Sequence, residues 1–145
     1  FIGIIPNLFY KADAIMIGGG LRIGGSEGNG GYAFILAGPD KGKLRPFTEI
    51  AGGGGSDAGV GLGLTRVDYW GDINNFSIMS LAGSREKIYG GVEVTGEGLS
   101  AGGAYTYGAD LSGGAVVGFS FETSFGASVI PVVYGGYNTG TVYIH

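Results

Sequence analysis

The sequence predicts an all-β fold, an antiparallel barrel or β-sandwich of roughly ten short strands interleaved with glycine. Three observations carry that expectation. Apolar residues recur at period two, glycine clusters bound the runs, and no segment keeps the 3.6-residue period of an amphipathic helix. The best helical candidate, Phe1 to Ala12, is interrupted by Gly3 and Pro6, both unfavourable inside a helix.

Taken in order, the predicted strands are Ala14 to Ile23, Gly31 to Ala37, Phe47 to Ala51, Gly59 to Trp70, Phe76 to Leu81, Lys87 to Leu99, Ala104 to Ala109, Val116 to Phe125, Ser128 to Tyr134 and Thr139 to Ile144. Three show clear alternation. In the fourth, Val60, Leu62 and Leu64 alternate with Gly59, Gly61 and Gly63. In the sixth, Ile88, Val92 and Val94 oppose Lys87, Tyr89, Glu93, Thr95 and Glu97, which reads as one buried apolar face and one wet charged face. In the eighth, Val117, Phe119, Phe121 and Phe125 form an aromatic stripe opposite Gly118, Ser120 and Glu122. An interior strand glycine marks a bend, a bulge or a close approach. The glycine faces are therefore expected to receive the aromatic side chains across a strongly curved core. Turns are read at 38–42, where Pro39 presets its φ, in the loops 25–31 and 52–57, and as a tight hairpin at 137–140.

The 145 residues suit one domain, read as an apolar N-terminal segment, 1–13, followed by a single glycine-rich β domain, 14–145. Glycine supplies 34 positions without a triplet period, so a collagen helix is excluded. Nine Tyr, eight Phe, one Trp and 44% hydrophobic residues exclude a disordered chain. Eight scattered Lys and Arg against twelve Asp and Glu give a net charge of −4, which argues against a nucleic-acid partner. No run of about 20 apolar residues forms a membrane-spanning helix. The first residue is Phe1 rather than Met, which reads as a processed precursor.

Chemistry is sparse. Cysteine is absent, which removes disulfides and thiolates, and the one histidine is the terminal His145, where chain ends usually fray. Glu93 and Glu97 share a strand face with Glu86 nearby. A four-residue step along a strand spans about 13 Å, beyond the roughly 5–9.5 Å of paired glycosidase carboxylates. Asp57, Asp68 and Asp72 lack the spacing of a calcium loop. The glycines at 18–20 and 59–63 lack the form of a phosphate-binding loop. Lys11 to Asp13, Thr65 to Asp68 and Ser84 to Lys87 read as surface charge patches. The expectation is no catalytic residue, no cofactor and no metal.

The segments GGGLRIGG (18–25), GGYAFILAGPDKG (30–42), GVGLGLTRVDYWG (59–71), SLAGSREKIYGGVEVTGEGLSAGGAYTYG (80–108) and the closing 118–144 resemble the glycine-rich β segments at the C-terminal ends of bacterial RHS/YD-repeat polymorphic toxins. That resemblance implies an exported bacterial domain, secreted or at the cell surface. The leading expectation is a non-catalytic subunit acting through assembly, as a homo-oligomer or on another protein. Its candidate contact residues are Phe1, Ile2, Ile4, Ile5, Leu8, Phe9 and Tyr10. The alternative is a membrane-acting toxin or effector domain, and the third reading is a carboxylate enzyme acting on glycans. Against a constitutive membrane barrel stand the charged face of 87–99 and the non-aromatic last residue, His145.

Overall fold

A computed structural model of the chain describes residues 11–23, 26–54, 58–94, 99–109, 114–125 and 133–145. The strands are β1 (Ala14–Ile23), β2 (Ser26–Ile35), β3 (Leu44–Gly54), β4 (Ala58–Trp70), β5 (Gly83–Val94), β6 (Leu99–Ala109), β7 (Ala115–Phe125) and β8 (Val133–Ile144). All neighbouring pairs are antiparallel, and the sheet closes on itself as a barrel in the order β1-β2-β3-β8-β5-β6-β7-β4. Closure settles the choice between barrel and sandwich, and it leaves no unpaired edge strand.

The order is two Greek keys joined along two seams. Within the first, β4 returns beside β1 to give β4-β1-β2-β3, and within the second, β8 returns beside β5 to give β8-β5-β6-β7. The seams are β3 with β8, where Phe47 stands opposite Ile144, and β4 with β7, where Val67 stands opposite Gly118.

Eight strands rather than ten follow from the first two of three differences, and the third lengthens β2. Phe76 to Leu81 is not extended: Ile73–Asn75 and Ile78–Leu81 are short 3-10 turns crossing one end of the barrel. The hairpin expected at Tyr137 to Gly140 is uninterrupted strand, so the last predicted strands fall on one element as far as the described residues reach. The loop read at 25–31 is largely β2, since Ser26 to Gly31 pair in register with β1. In the last two cases the glycine and asparagine that suggest a chain reversal lie within continuous strand.

The turn at 38–42 forms as expected. Gly42 N–H donates to Ile35 O at 2.8 Å, Lys41 N–H to Gly38 O at 3.1 Å, and Gly38 and Gly42 hold φ of 85° and 95°, which L-residues with a Cβ rarely adopt. At the last residue, His145 N–H donates to Pro46 O at 2.9 Å and its ring lies 2.9 Å from Thr48 Oγ1.

The apolar core fills one end of the lumen. Ile35, Val67, Tyr69, Val116 and Val142 line the wall there, and the 3-10 turns lower Phe76, Ile78 and Leu81 onto them. Phe76 is 0% exposed and stacks on Tyr69 with ring centroids 5.0 Å apart. Polar contacts fasten this plug. Ile78 N–H donates to Asp40 Oδ2 at 2.8 Å, and buried Arg85 donates to Ser80 O at 2.8 Å. Arg85 fits because Gly108 faces it without a side chain; a Cβ there would overlap Nη1.

Candidate functional site

Alternation along a strand says which residues share a face, but it does not say which face is inside. The structure answers against expectation. On β5, Arg85, Lys87 and Tyr89 point into the lumen and are buried, while Ile88 points out and is 65% exposed. On β7, Gly118 and Ser120 are buried and Phe121 is exposed; Phe119 packs at 5.0 Å from Tyr105 and 5.3 Å from Phe121 along the outer wall. On β4, Leu62 is 72% exposed. The glycine faces do line the curved interior, and two buried aromatics use them: the Phe47 ring sits against Gly18 and Tyr69 against Gly114. The long aromatic stripe does not. The charge patch expected at Ser84 to Lys87 is likewise divided, with Arg85 and Lys87 inside and Glu86 outside.

Two surfaces result. The outer wall carries exposed large hydrophobic residues on every strand, among them Ile17, Tyr32, Ile50, Leu62, Tyr105 and Phe121. Among the described outward side chains of the strands, the charged ones are Arg66, Asp68 and Glu86. Arg66 and Asp68 pair at 3.0 Å, and Tyr137 donates its hydroxyl to Glu86 at 3.1 Å. These are muted charges on an apolar surface.

The lumen beyond the plug is polar. Lys87 Nζ donates to Glu27 Oε1 at 2.6 Å, with both side chains buried. Asn29 Nδ2 donates to Glu27 Oε1 and, at 2.8 Å, to Glu49 Oε1, joining the two carboxylates. Asn138 Nδ2 reaches Glu27 Oε2 at 3.4 Å, whereas Asn138 Oδ1 is buried with no partner. Thr65 and Ser120 share a hydroxyl hydrogen bond of 2.8 Å across the seam of β4 and β7. A partly open pocket of about 120 Å³ runs from Met16, Phe47, Val67 and Leu81 to Glu27, Asn29, Glu49 and Lys87. Burying an ion pair is stabilising only with good geometry and supporting hydrogen bonds, and the flanking amides supply them here.

The residues singled out by sequence are scattered. Phe1 to Tyr10, Asp57 and Glu97 lie outside the described residues, and the side chain of Glu93 does too. Glu86 lies on the outer wall. Asp72 caps the first 3-10 turn, accepting from Asn74 N–H at 3.0 Å, apart from Asp68 on the wall. No group of three or more His, Cys, Asp or Glu able to hold a metal occurs among the described residues. In the lumen cluster, Glu27, Asn29 and Asn138 sit in segments whose glycines read as loop and turn, whereas Glu49 sits in the predicted strand Phe47 to Ala51, whose sequence does not say which face is inside. Their spacing was the available signal: Glu27 and Asn29 are two apart, in phase with Ala33 and Ile35.

Comparison with protein-family models, with curated proteins and with solved structures finds no match to this chain.

Proposed function

We propose that the barrel acts embedded in a lipid bilayer, as a plugged membrane-integrated domain that works without catalysis. One observation carries the reading: all eight strands place at least one exposed large hydrophobic residue on the outer wall. A protein partner covers a sector of a barrel, whereas a bilayer surrounds it. The strands, of 10 to 13 residues, match the roughly 9–11 residues that cross the hydrocarbon at a tilt. Apolar-out and polar-in alternation is the pattern of transmembrane strands.

Position along the wall supports the same reading. Trp70, the last residue of β4, is 65% exposed, and Tyr107 and Tyr143 also lie near the plugged ends of their strands. Amphipathic aromatic rings favour the headgroup level. No helix among the described residues is long and apolar enough to cross a membrane; the strands are the spanning elements in this reading. Of the face at 87–99 that argued against a membrane barrel, Lys87 and Tyr89 turn inward. The resemblance to RHS/YD-repeat toxins supports the exported side of the proposal.

The test is partition. Refolded with phosphatidylcholine vesicles, the protein is expected to float with them and to stay after urea and alkaline carbonate washes. A detergent-free preparation that remains a discrete, water-soluble oligomer and stays unbound would overturn the proposal in favour of self-assembly.

A further inference from the structure

We infer that the turn joining β2 to β3 is a docking surface for anionic phospholipid headgroups, held by Lys41, Lys43 and Arg45. The inference rests on the membrane reading above and adds to it a lipid class and a place on the rim. Its first support is the distribution of charge. The chain is acidic, with eight Lys and Arg against twelve Asp and Glu, yet three of the eight fall within residues 41–45.

The fold leaves these three cations in the open. Lys41, Lys43 and Arg45 are all exposed, whereas Arg85 and Lys87 are buried and Arg66 is paired with Asp68. The turn holds one carboxylate, Asp40, and it is already engaged. Its Oδ1 lies 3.0 Å from Lys43 Nζ, and its Oδ2 accepts the Ile78 N–H at 2.8 Å. Arg45 donates to the carbonyl of Leu44 at 3.0 Å, and neither it nor Lys41 forms an ion pair with a described residue. The other described carboxylates near this end are occupied too. Asp13 accepts from Tyr69 N–H, Asp72 from Asn74 N–H, and Asp68 pairs with Arg66. The barrel order also sets β6 and β7 on the side of the wall opposite β2 and β3.

What borders the turn points to the partner. On the outer wall beside it, Phe34 stands opposite Leu44, Tyr32 opposite Pro46, and Tyr143 opposite Thr48. Tyr32, Phe34, Leu44 and Tyr143 are exposed. Aromatic rings favour the headgroup level of a bilayer. The turn carrying Lys41 and Lys43 extends past the strand ends Ile35 and Leu44, so its cations reach the level of the lipid phosphates. Lys and Arg there are attracted to anionic lipids. An acidic protein would meet the same charges but leave the neighbouring rings uncovered. The turn is also fixed in shape, with Gly42 N–H on Ile35 O and Lys41 N–H on Gly38 O, so little backbone ordering opposes binding.

The test reads the lipids around the inserted barrel by electron spin resonance. With the protein in phosphatidylcholine bilayers, spin-labelled phosphatidylglycerol should be immobilised roughly twofold in preference to spin-labelled phosphatidylcholine, since the basic turn occupies one sector of the perimeter. Salt near 1 M, where the screening length is about 3 Å, should remove the preference. Lys41→Gln combined with Arg45→Gln should remove it as well, while the variant inserts like the parent. Lys43 is kept because its contact with Asp40 belongs to the plug's fastening. The parent's headgroup and salt series decides the matter even if that variant fails to fold. Equal immobilisation of the two lipids, a preference that persists at high salt, or one that survives the double substitution would each overturn the inference and leave the membrane reading standing. A parent that does not enter phosphatidylcholine bilayers at all would overturn that reading, and this inference with it.

Discussion

The two faces of this barrel's wall are built from the same strands, often from adjacent residues, yet they divide the chemistry in reverse of a water-soluble barrel. Inside lie a buried Lys87–Glu27 pair and the amides of Asn29 and Asn138. Outside lie Ile88, next to Lys87 in the chain, and Phe121, next to Ser120. Burial of apolar surface ordinarily drives folding in water. Here the plug end alone follows that rule, with Phe76, Ile78 and Leu81 seated on Val67 and Tyr69. The difference teaches that the plugged end has a core of its own, while the rest of the wall presents the apolar surface on which the proposed membrane reading rests.

The comparison is broken most severely from inside. Lys87→Met leaves Glu27 as a buried carboxylate without its ammonium, and loss of one member of a buried pair costs about 3–5 kcal/mol. Chemical denaturation should show that loss, and Lys87→Met combined with Glu27→Gln should recover part of it. A single variant as stable as the parent would mean that the lumen is wet and open at that level.

From outside the expected effect is somewhat smaller and more discriminating. Leu62 stands 72% exposed on β4. Leu62→Arg should destabilise the bilayer-folded protein by about 2–4 kcal/mol if that position lies near the midplane of the hydrocarbon. A water-exposed strand position would tolerate it within about 0.5 kcal/mol. Folding titrations in vesicles separate the two.

The smallest effect concerns the plug's fastening. Asp40 lies outside the strands, and the Ile78 N–H it accepts, followed by the Lys43 ammonium at 3.0 Å, holds its carboxyl below the usual carboxylate value of 3.8. A depressed pKa adds stability that is full above the unfolded value and is lost as pH falls through the folded one. Stability should therefore drop below about pH 4 in the parent, and Asp40→Asn should remove that component. An unchanged acid profile in Asp40→Asn would show that the contact does not fasten the plug.

Much of the wall was legible in the sequence, and its orientation was not. The limits of β1, β4 and β7 followed closely from alternation, because period two is a local backbone property. The turn at 38–42 followed from Pro39 and its flanking glycines. Phe76 to Leu81 read as strand because so short a segment, with Phe76, Ile78, Met79 and Leu81 apolar, is too brief to show a helical period, and in the structure Ile78–Leu81 is a 3-10 turn. The lumen cluster was hidden for a related reason. Asn138 sits between Tyr137 and Thr139 in a stretch that reads as a hairpin, and its role appears only when β5 and β8 bring it opposite Lys87. Which face is inside becomes visible when strands are compared: in β1, β2 and β3 every charged residue falls in one phase and the other phase, the outward one, has none.

Because Trp70 is the chain's one tryptophan and is 65% exposed at the plugged end of β4, its fluorescence reads the surroundings of the outer wall without any substitution. With the protein reconstituted in phosphatidylcholines brominated at graded depths, the account predicts a blue-shifted emission, resistance to iodide, and quenching strongest when bromine lies near the headgroups. Emission that stays red, open to iodide and indifferent to every brominated lipid would contradict it.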